Sequence, residues 1–170
     1  MIIKGGILMI TLARVDFRLV HGQVMTKWLK ISLAKKIVII DNVLANEKYM
    51  ADIYKMSAPS DVSIDIFSVD EAVENLVKDE FKNNKVFLLF KDIVTAKNLF
   101  EKGILFDNLQ VGGVPKTNEK KMIFKAVSLD KEDIDNLTFL NNKGVEVTLQ
   151  IIPEESKLTL EEAIKKYESM

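Results

Sequence analysis

The chain has 170 residues, a formal net charge of −1, no cysteine and one histidine. That length suits a single domain with a full core, while the composition excludes disulfides, thiolate catalysis, Cys-based metal centres and a multi-His metal site within one chain. Lysines and carboxylates are interleaved, without the basic face or stacking aromatics that nucleic acid requires. No run approaches the roughly 20 apolar residues of a membrane span. A cytoplasmic protein with no direct membrane insertion is therefore expected.

The N-terminal stretch MIIKGGILMITLA is interrupted by Gly5-Gly6 and is too short in apolar residues for a signal segment. Residues 1–8 read as an N-terminal extension, since Met9 could equally serve as a start, and 9–170 as the domain. Ile7 to Val15 reads as a buried first strand. QVMTKWLKISL follows as a helix, with Val24/Trp28 and Met25/Leu29 at i,i+4. Residues 35–41 form a strand, and 46–58 an amphipathic helix with Tyr49, Ile53 and Met56 on one side. VSIDIFSV (62–69) alternates as a half-buried strand, and 70–80 is a helix opening on carboxylates. KVFLLFK (85–91) is continuously apolar, as a strand covered on both faces must be. Residues 92–103 form a helix ending on glycine, and NLQVGG (108–113) a short strand. The segment 114–129 is a polar loop leading into an irregular or strand segment. Residues 130–144 form a helix stopped by Gly144, 145–153 a last strand, and 158–168 a terminal helix. Phe67, Phe87, Phe90 and Trp28 read as core, Trp28 also as a residue that the first helix could bring near the site.

Strands alternating with helices predict an α/β single domain: an open, mostly parallel β-sheet with helices on both faces. In such sheets a ligand site lies outside the carboxyl ends of the strands. ARVDFRLVHGQV (13–24) occupies that position, between the first strand and the first helix. It holds the only histidine, His21, and both arginines, Arg14 and Arg18, in a chain that otherwise uses 22 lysines.

The chemistry of this loop is that of phosphate. Arginine's planar fork matches phosphate oxygens bidentately. Asp16 can orient an arginine or fix an imidazole tautomer. Gly22 permits close backbone approach, and Gln23 begins a helix whose free N–H groups favour an anion. Phosphoryl transfer needs mainly positioning and charge stabilisation, so His21 is the candidate phosphoryl carrier. The residues alone leave other readings open: a histidine with no special role, an Arg14–Asp16 ion pair at a strand end, and a general base in a small hydrolase or isomerase. The last lacks an evident second nucleophile or base.

RVDFRLVHGQVMTKW resembles the histidine loop of IIB subunits of the mannose/fructose/sorbose class of the bacterial phosphoenolpyruvate-dependent sugar phosphotransferase system. The pattern maps onto Arg14, Val15, Asp16, Phe17, Arg18, Leu19, Val20, His21, Gly22, Gln23 and Trp28. IVIIDNVLAN, KMSAP, VFLLFKD, VGGVPKTNEKK, KAVSLDKEDI and GVEVTLQIIPEES extend the resemblance over nearly the whole chain.

The resemblance implies that His21 takes a phosphoryl group, at Nδ1, from the phosphohistidine of a IIA domain. It then passes the group to a sugar held by the membrane IIC and IID subunits. Arg18 is implied as the charge stabiliser, Arg14 and Asp16 as loop-shaping or phosphate-binding residues, and Gly22 and Gln23 as N–H donors. No cofactor and no metal are implied. The protein is expected in the cytoplasm, associated peripherally with the transporter, with a homodimer left open. The rival reading is a IIB-like regulatory or binding protein controlled by His21 phosphorylation. Phe17 departs from the family pattern, which usually has a carboxylate or another polar residue there, and is expected to alter the docking surface. Asp41, Lys91, Gly112 and Gly113, at strand ends, and the loop at Pro59 and Ser60 are weaker candidates for the same rim.

Overall fold

The computed structural model describes residues 2–3 and 6–170, the first three of these (Ile2, Ile3 and Gly6) by their backbone only. Of the extension proposed at 1–8, Met1, Lys4 and Gly5 lie outside the described residues. A small antiparallel pair, β1 (Ile2–Ile3) and β2 (Gly6–Ile7), precedes the strands of the main sheet. β3 (Met9–Asp16) is the central strand and starts two residues later than the periodicity suggests, because Ile7 belongs to β2.

The chain continues through a π-helical turn (Val24–Trp28) into α1 (Leu29–Ser32), then β4 (Lys36–Ile40), α2 (Lys48–Met56), β5 (Ser63–Phe67) and α3 (Val69–Asn75). β6 (Lys85–Phe90), α4 (Ile93–Glu101) and β7 (Asn108–Gly113) follow. A hairpin of β8 (Lys121–Phe124) and β9 (Val127–Leu129) leads to α5 (Lys131–Asn142), β10 (Glu146–Leu149), β11 (Leu158–Thr159) and α6 (Leu160–Glu168). Three helices open on capping boxes, Ser68–Glu71, Asp130–Asp133 and Thr159–Glu162, which satisfy orphan N–H groups reciprocally. Gly103 and Gly144, both at positive φ, follow α4 and α5 as expected of C-terminal stops.

The main sheet has seven strands in the order β11-β10-β7-β3-β6-β4-β5, all parallel except β11. β3 lies between β6 and β7, so the loop leaving it sits where the crossovers reverse direction, as the topology rule requires. Alternation in the strands separates two cores. Val38, Ile40, Leu88, Phe90 and Val111 pack with residues of α3, α4, α5 and α6 on one face. Ile37, Ile39, Phe87 and Leu89 pack with Val24, Trp28 and Leu29 on the other.

The polar loop and the irregular or strand segment read at 114–129 contain the β8–β9 hairpin. Two sequence expectations change. The last strand ends at Leu149 rather than 153, because the following backbone turns toward β3. In α2 the helix meets the sheet side through Ala51 and Tyr54, leaving Tyr49 and Met56 outward with 78% and 85% of their surface exposed.

Candidate active site

The site is built on a buried cation. Arg14 sits mid-strand in β3, opposite Gln110 of β7, with no solvent exposure. An unpaired guanidinium there would be prohibitive, and its donors are accordingly taken. Nη1 donates to Gln110 Oε1 and to the Gln150 carbonyl (2.9 Å); Nη2 donates to Asp16 Oδ2 (3.0 Å) and the Ile151 carbonyl (3.2 Å). Nε has no partner among the described residues. The guanidinium stacks on Trp28, 5.0 Å from the ring centroid, and the indole Nε1 donates to the same Ile151 carbonyl at 3.0 Å. Burial lowers the Arg14 pKa to about 10 against the opposing pull of Asp16, so it remains a cation at neutral pH.

Asp16, also fully buried, is shared by two arginines. Besides Arg14, it accepts from Arg18 Nε (2.9 Å) and Nη2 (3.0 Å) in a bidentate fork, and from the Arg18 backbone N–H (3.3 Å). Burial pushes its carboxyl up, but the bond from Arg18 and the charges of Arg14 and His21 outweigh that and hold it below its ordinary value. Two guanidiniums and one carboxylate leave one net positive charge at the carboxyl end of β3. Arg18 brings it to the surface, with about a third of its side chain exposed.

β7 is shaped around this pair. A Cβ on Gly112 would lie 1.8 Å from Arg14 Nη2, and one on Gly113 2.7 Å from Asp16 Oδ1. Both glycines thus make room for the ion pair.

The loop then turns sharply. Phe17 N–H donates to the Gly113 carbonyl (3.0 Å), and Leu19 N–H to the Asp16 carbonyl (2.8 Å). Leu19 takes φ +54°, at a cost on the order of 1 kcal/mol for a residue with a side chain, offset by burial of its isobutyl group. Its carbonyl lies 2.9 Å from His21 Nδ1. A carbonyl only accepts, so Nδ1 carries the proton and neutral His21 leaves its lone pair on Nε2. Among the described residues Nε2 has no hydrogen-bond partner, and it stands 3.8 Å from Asp16 Oδ2. The helical segment starts at Gly22, placing the N–H groups of Gly22 and Gln23 ahead of any intrahelical acceptor.

Arg14, Asp16, Arg18 and His21 therefore lie together, with Gly22 and Gln23 next in the chain, but Arg14 is enclosed and cannot touch a ligand. Phe17 is 38% exposed beside the loop, with the Arg18 guanidinium 5.8 Å from its ring centroid. The weaker candidates separate. Asp41 accepts the Val43 and Leu44 N–H groups of its own turn, and Lys91 is exposed at the end of β6. Pro59 and Ser60 precede β5 and so lie at the amino ends of the parallel strands, opposite His21.

Comparison with known proteins identifies the family. The family model described as "PTS system sorbose subfamily IIB component" matches residues 10–170. The chain belongs to that family. It is 35% identical to the sorbose-specific EIIB component of Lacticaseibacillus casei, over 85% of this chain and 88% of the relative. It superimposes on the manxB crystal structure from Thermoanaerobacter tengcongensis with a TM-score of 0.86 and 42% identity, covering 93% and 96% of the two chains. The IIBSor domain of the sorbose permease from Klebsiella pneumoniae gives a TM-score of 0.87 at 30% identity, over 93% of this chain and 97% of that one. As a IIB component of the mannose-class phosphotransferase system, the chain has a phosphocarrier role in sugar uptake.

Sequence reasoning missed Gln110, the backbone of Gln150 and Ile151, and the tie between Trp28 and Arg14. One signal was available. NLQVGG puts a polar side chain at an alternating position of an otherwise buried strand, where something polar has to meet it.

Proposed function

We propose that His21 accepts a phosphoryl group from the phosphohistidine of a IIA domain and passes it to a sugar during uptake through membrane IIC and IID subunits. One observation carries the reading: a pair of arginines sharing a single buried carboxylate, with a net positive charge, beside the only imidazole of the chain. In the transfer, the P–N bond of the donor breaks as a P–N bond to His21 forms, and the donor imidazole recovers its lone pair. Charge on the three equatorial oxygens is met by Arg18, whose Nη1 makes no bond to Asp16. The N–H groups of Gly22 and Gln23 add to the anion's surroundings.

The resemblance implies Nδ1 as the acceptor. For that nitrogen to attack, the bond to the Leu19 carbonyl must open and the proton must reside on Nε2. Asp16 Oδ2, at 3.8 Å, is the group placed to receive an Nε2–H. In this reading Asp16 both orients Arg18 and selects the reactive tautomer.

The function places the protein on the cytoplasmic side of its transporter. No helix among the described residues is long and apolar enough to cross a membrane. The test is incubation with phosphoenolpyruvate, the general phosphotransfer proteins and a cognate IIA, followed by sugar phosphorylation in membranes carrying IIC and IID. Acid-labile labelling of wild type but not His21→Ala, with sugar phosphate formed, is expected. Equal labelling of both sinks the reading. Labelling without sugar phosphorylation favours a regulatory IIB-like protein.

A further inference from the structure

Of the four hydrogen-bond acceptors of buried Arg14, three are neutral, namely Gln110 Oε1 and the carbonyls of Gln150 and Ile151. Only Asp16 carries charge, and Asp16 is shared with Arg18. The amide of Gln110 is itself held in one orientation. Its Nε2 donates to Gln150 Oε1 (3.2 Å), and Gln150 Nε2 donates onward to the carbonyls of Glu155 (2.7 Å) and Pro153 (3.4 Å). With both amides fixed by carbonyls at the far end, Gln110 can only present its oxygen to Arg14.

We propose that Gln110 is a positioning residue of the phosphoryl-transfer site. It supplies the neutral acceptor that orients Arg14, and through Asp16 also Arg18, without cancelling the net positive charge of the cluster. This rests on the reading of His21 as the phosphoryl carrier. The arrangement separates two jobs a carboxylate would combine. Hydrogen bonding to a buried guanidinium needs an oxygen; holding an anion at the surface needs the charge left over. A glutamate at position 110 would match the glutamine in size and still accept from Arg14, but it would lose the donation to Gln150 Oε1 and bring the cluster to zero net charge. Gln110 is itself only 7% exposed, so it acts through Arg14 and does not meet the phosphate.

Two variants separate charge from position. Gln110→Glu is expected to fold with a melting temperature somewhat below wild type, because the Nε2 donation to Gln150 Oε1 is lost. Its phosphoryl-exchange equilibrium with the IIA donor should shift against the phosphorylated form on the order of tenfold, the scale of one added unit charge in the same partly buried cluster. Gln110→Met removes the acceptor but adds no charge. It is expected to slow transfer, with a lowered kcat and little change in KM for the phosphorylated donor, while leaving the equilibrium within about twofold. A residue that merely supported the fold would lower the melting temperature in both and leave the equilibrium alone.

A measurement independent of transfer uses inorganic phosphate as the probe, followed through the Arg18 Nε–H resonance. Phosphate should bind the Gln110→Glu protein on the order of tenfold more weakly than wild type, and the Gln110→Met protein nearly as well. Equal phosphate affinity and an unchanged exchange equilibrium in Gln110→Glu overturn the proposal. If Gln110→Glu fails to fold, a wild-type transfer rate in Gln110→Met overturns it equally. Failure of wild type to take phosphate on His21 removes the proposed carrier role, whereas the phosphate titration still decides the role of Gln110.

Discussion

Asp16→Asn changes one oxygen of a buried side chain to an amide and should be costly. The variant keeps the shape of Asp16 but leaves Arg14 and Arg18, which now share its carboxylate, without a negative partner. Removing one partner from a buried ion pair costs about 3–5 kcal/mol. The lower part of that range applies, because Arg18 is partly exposed and can turn into water whereas Arg14 cannot. For a domain of this size that corresponds to a fall in melting temperature of roughly 6–12 °C.

The pH dependence follows from the depressed carboxyl of Asp16. A group with a lowered folded pKa contributes stability that is complete above its unfolded value of 3.8 and is lost as pH falls through the folded value. The gap between wild type and Asp16→Asn should therefore be full at pH 7 and shrink at acid pH below the ordinary carboxylate range. Thermal denaturation followed by circular dichroism at pH 7 and in a series toward pH 2 measures both. A melting temperature within about 2 °C of wild type at pH 7, or a gap that does not shrink in acid, would refute the reasoning.

Other substitutions probe the surroundings of that pair. Gly112→Ala puts a Cβ 1.8 Å from Arg14 Nη2, and should destabilise by about 1–3 kcal/mol through overpacking; an unchanged denaturation midpoint would show that the guanidinium can move aside. Trp28→Phe keeps a ring over Arg14 but loses the 3.0 Å bond to Ile151, for about 1 kcal/mol in urea denaturation. Arg18→Lys preserves charge and loses the two-point grip on Asp16. It should leave the fold intact and slow phosphoryl transfer at least about tenfold, and equal rates in stopped-flow transfer assays would remove Arg18 from the mechanism.

Much of this architecture was legible from residue pattern alone. KVFLLFK is apolar throughout because β6 is covered on both faces, and the clustering of both arginines with the histidine marked the loop. What the pattern could not show is which arginine faces solvent. Arg14 lies between Ala13 and Val15, and only the pairing of β3 with β7 turns it toward Gln110 and away from a ligand. The run VEVTLQIIP reads as one strand, yet it leaves the sheet after Leu149 because the Gln150 and Ile151 carbonyls serve Arg14 and Trp28. Likewise Tyr49, Ile53 and Met56 share a helix face, which periodicity alone assigns to a core and the structure leaves outward. In each case tertiary partners far along the chain decided what local periodicity could not.

The central claim is that His21, beside the cationic Arg14–Asp16–Arg18 cluster, carries the phosphoryl group. Phosphorus NMR of the protein, after incubation with phosphoenolpyruvate, the general phosphotransfer proteins and IIA, tests it most directly. One phosphohistidine resonance, lost in acid and absent from His21→Ala, is the expected result. A phosphorylated His21→Ala protein, or a wild type that acquires no such resonance, would contradict it.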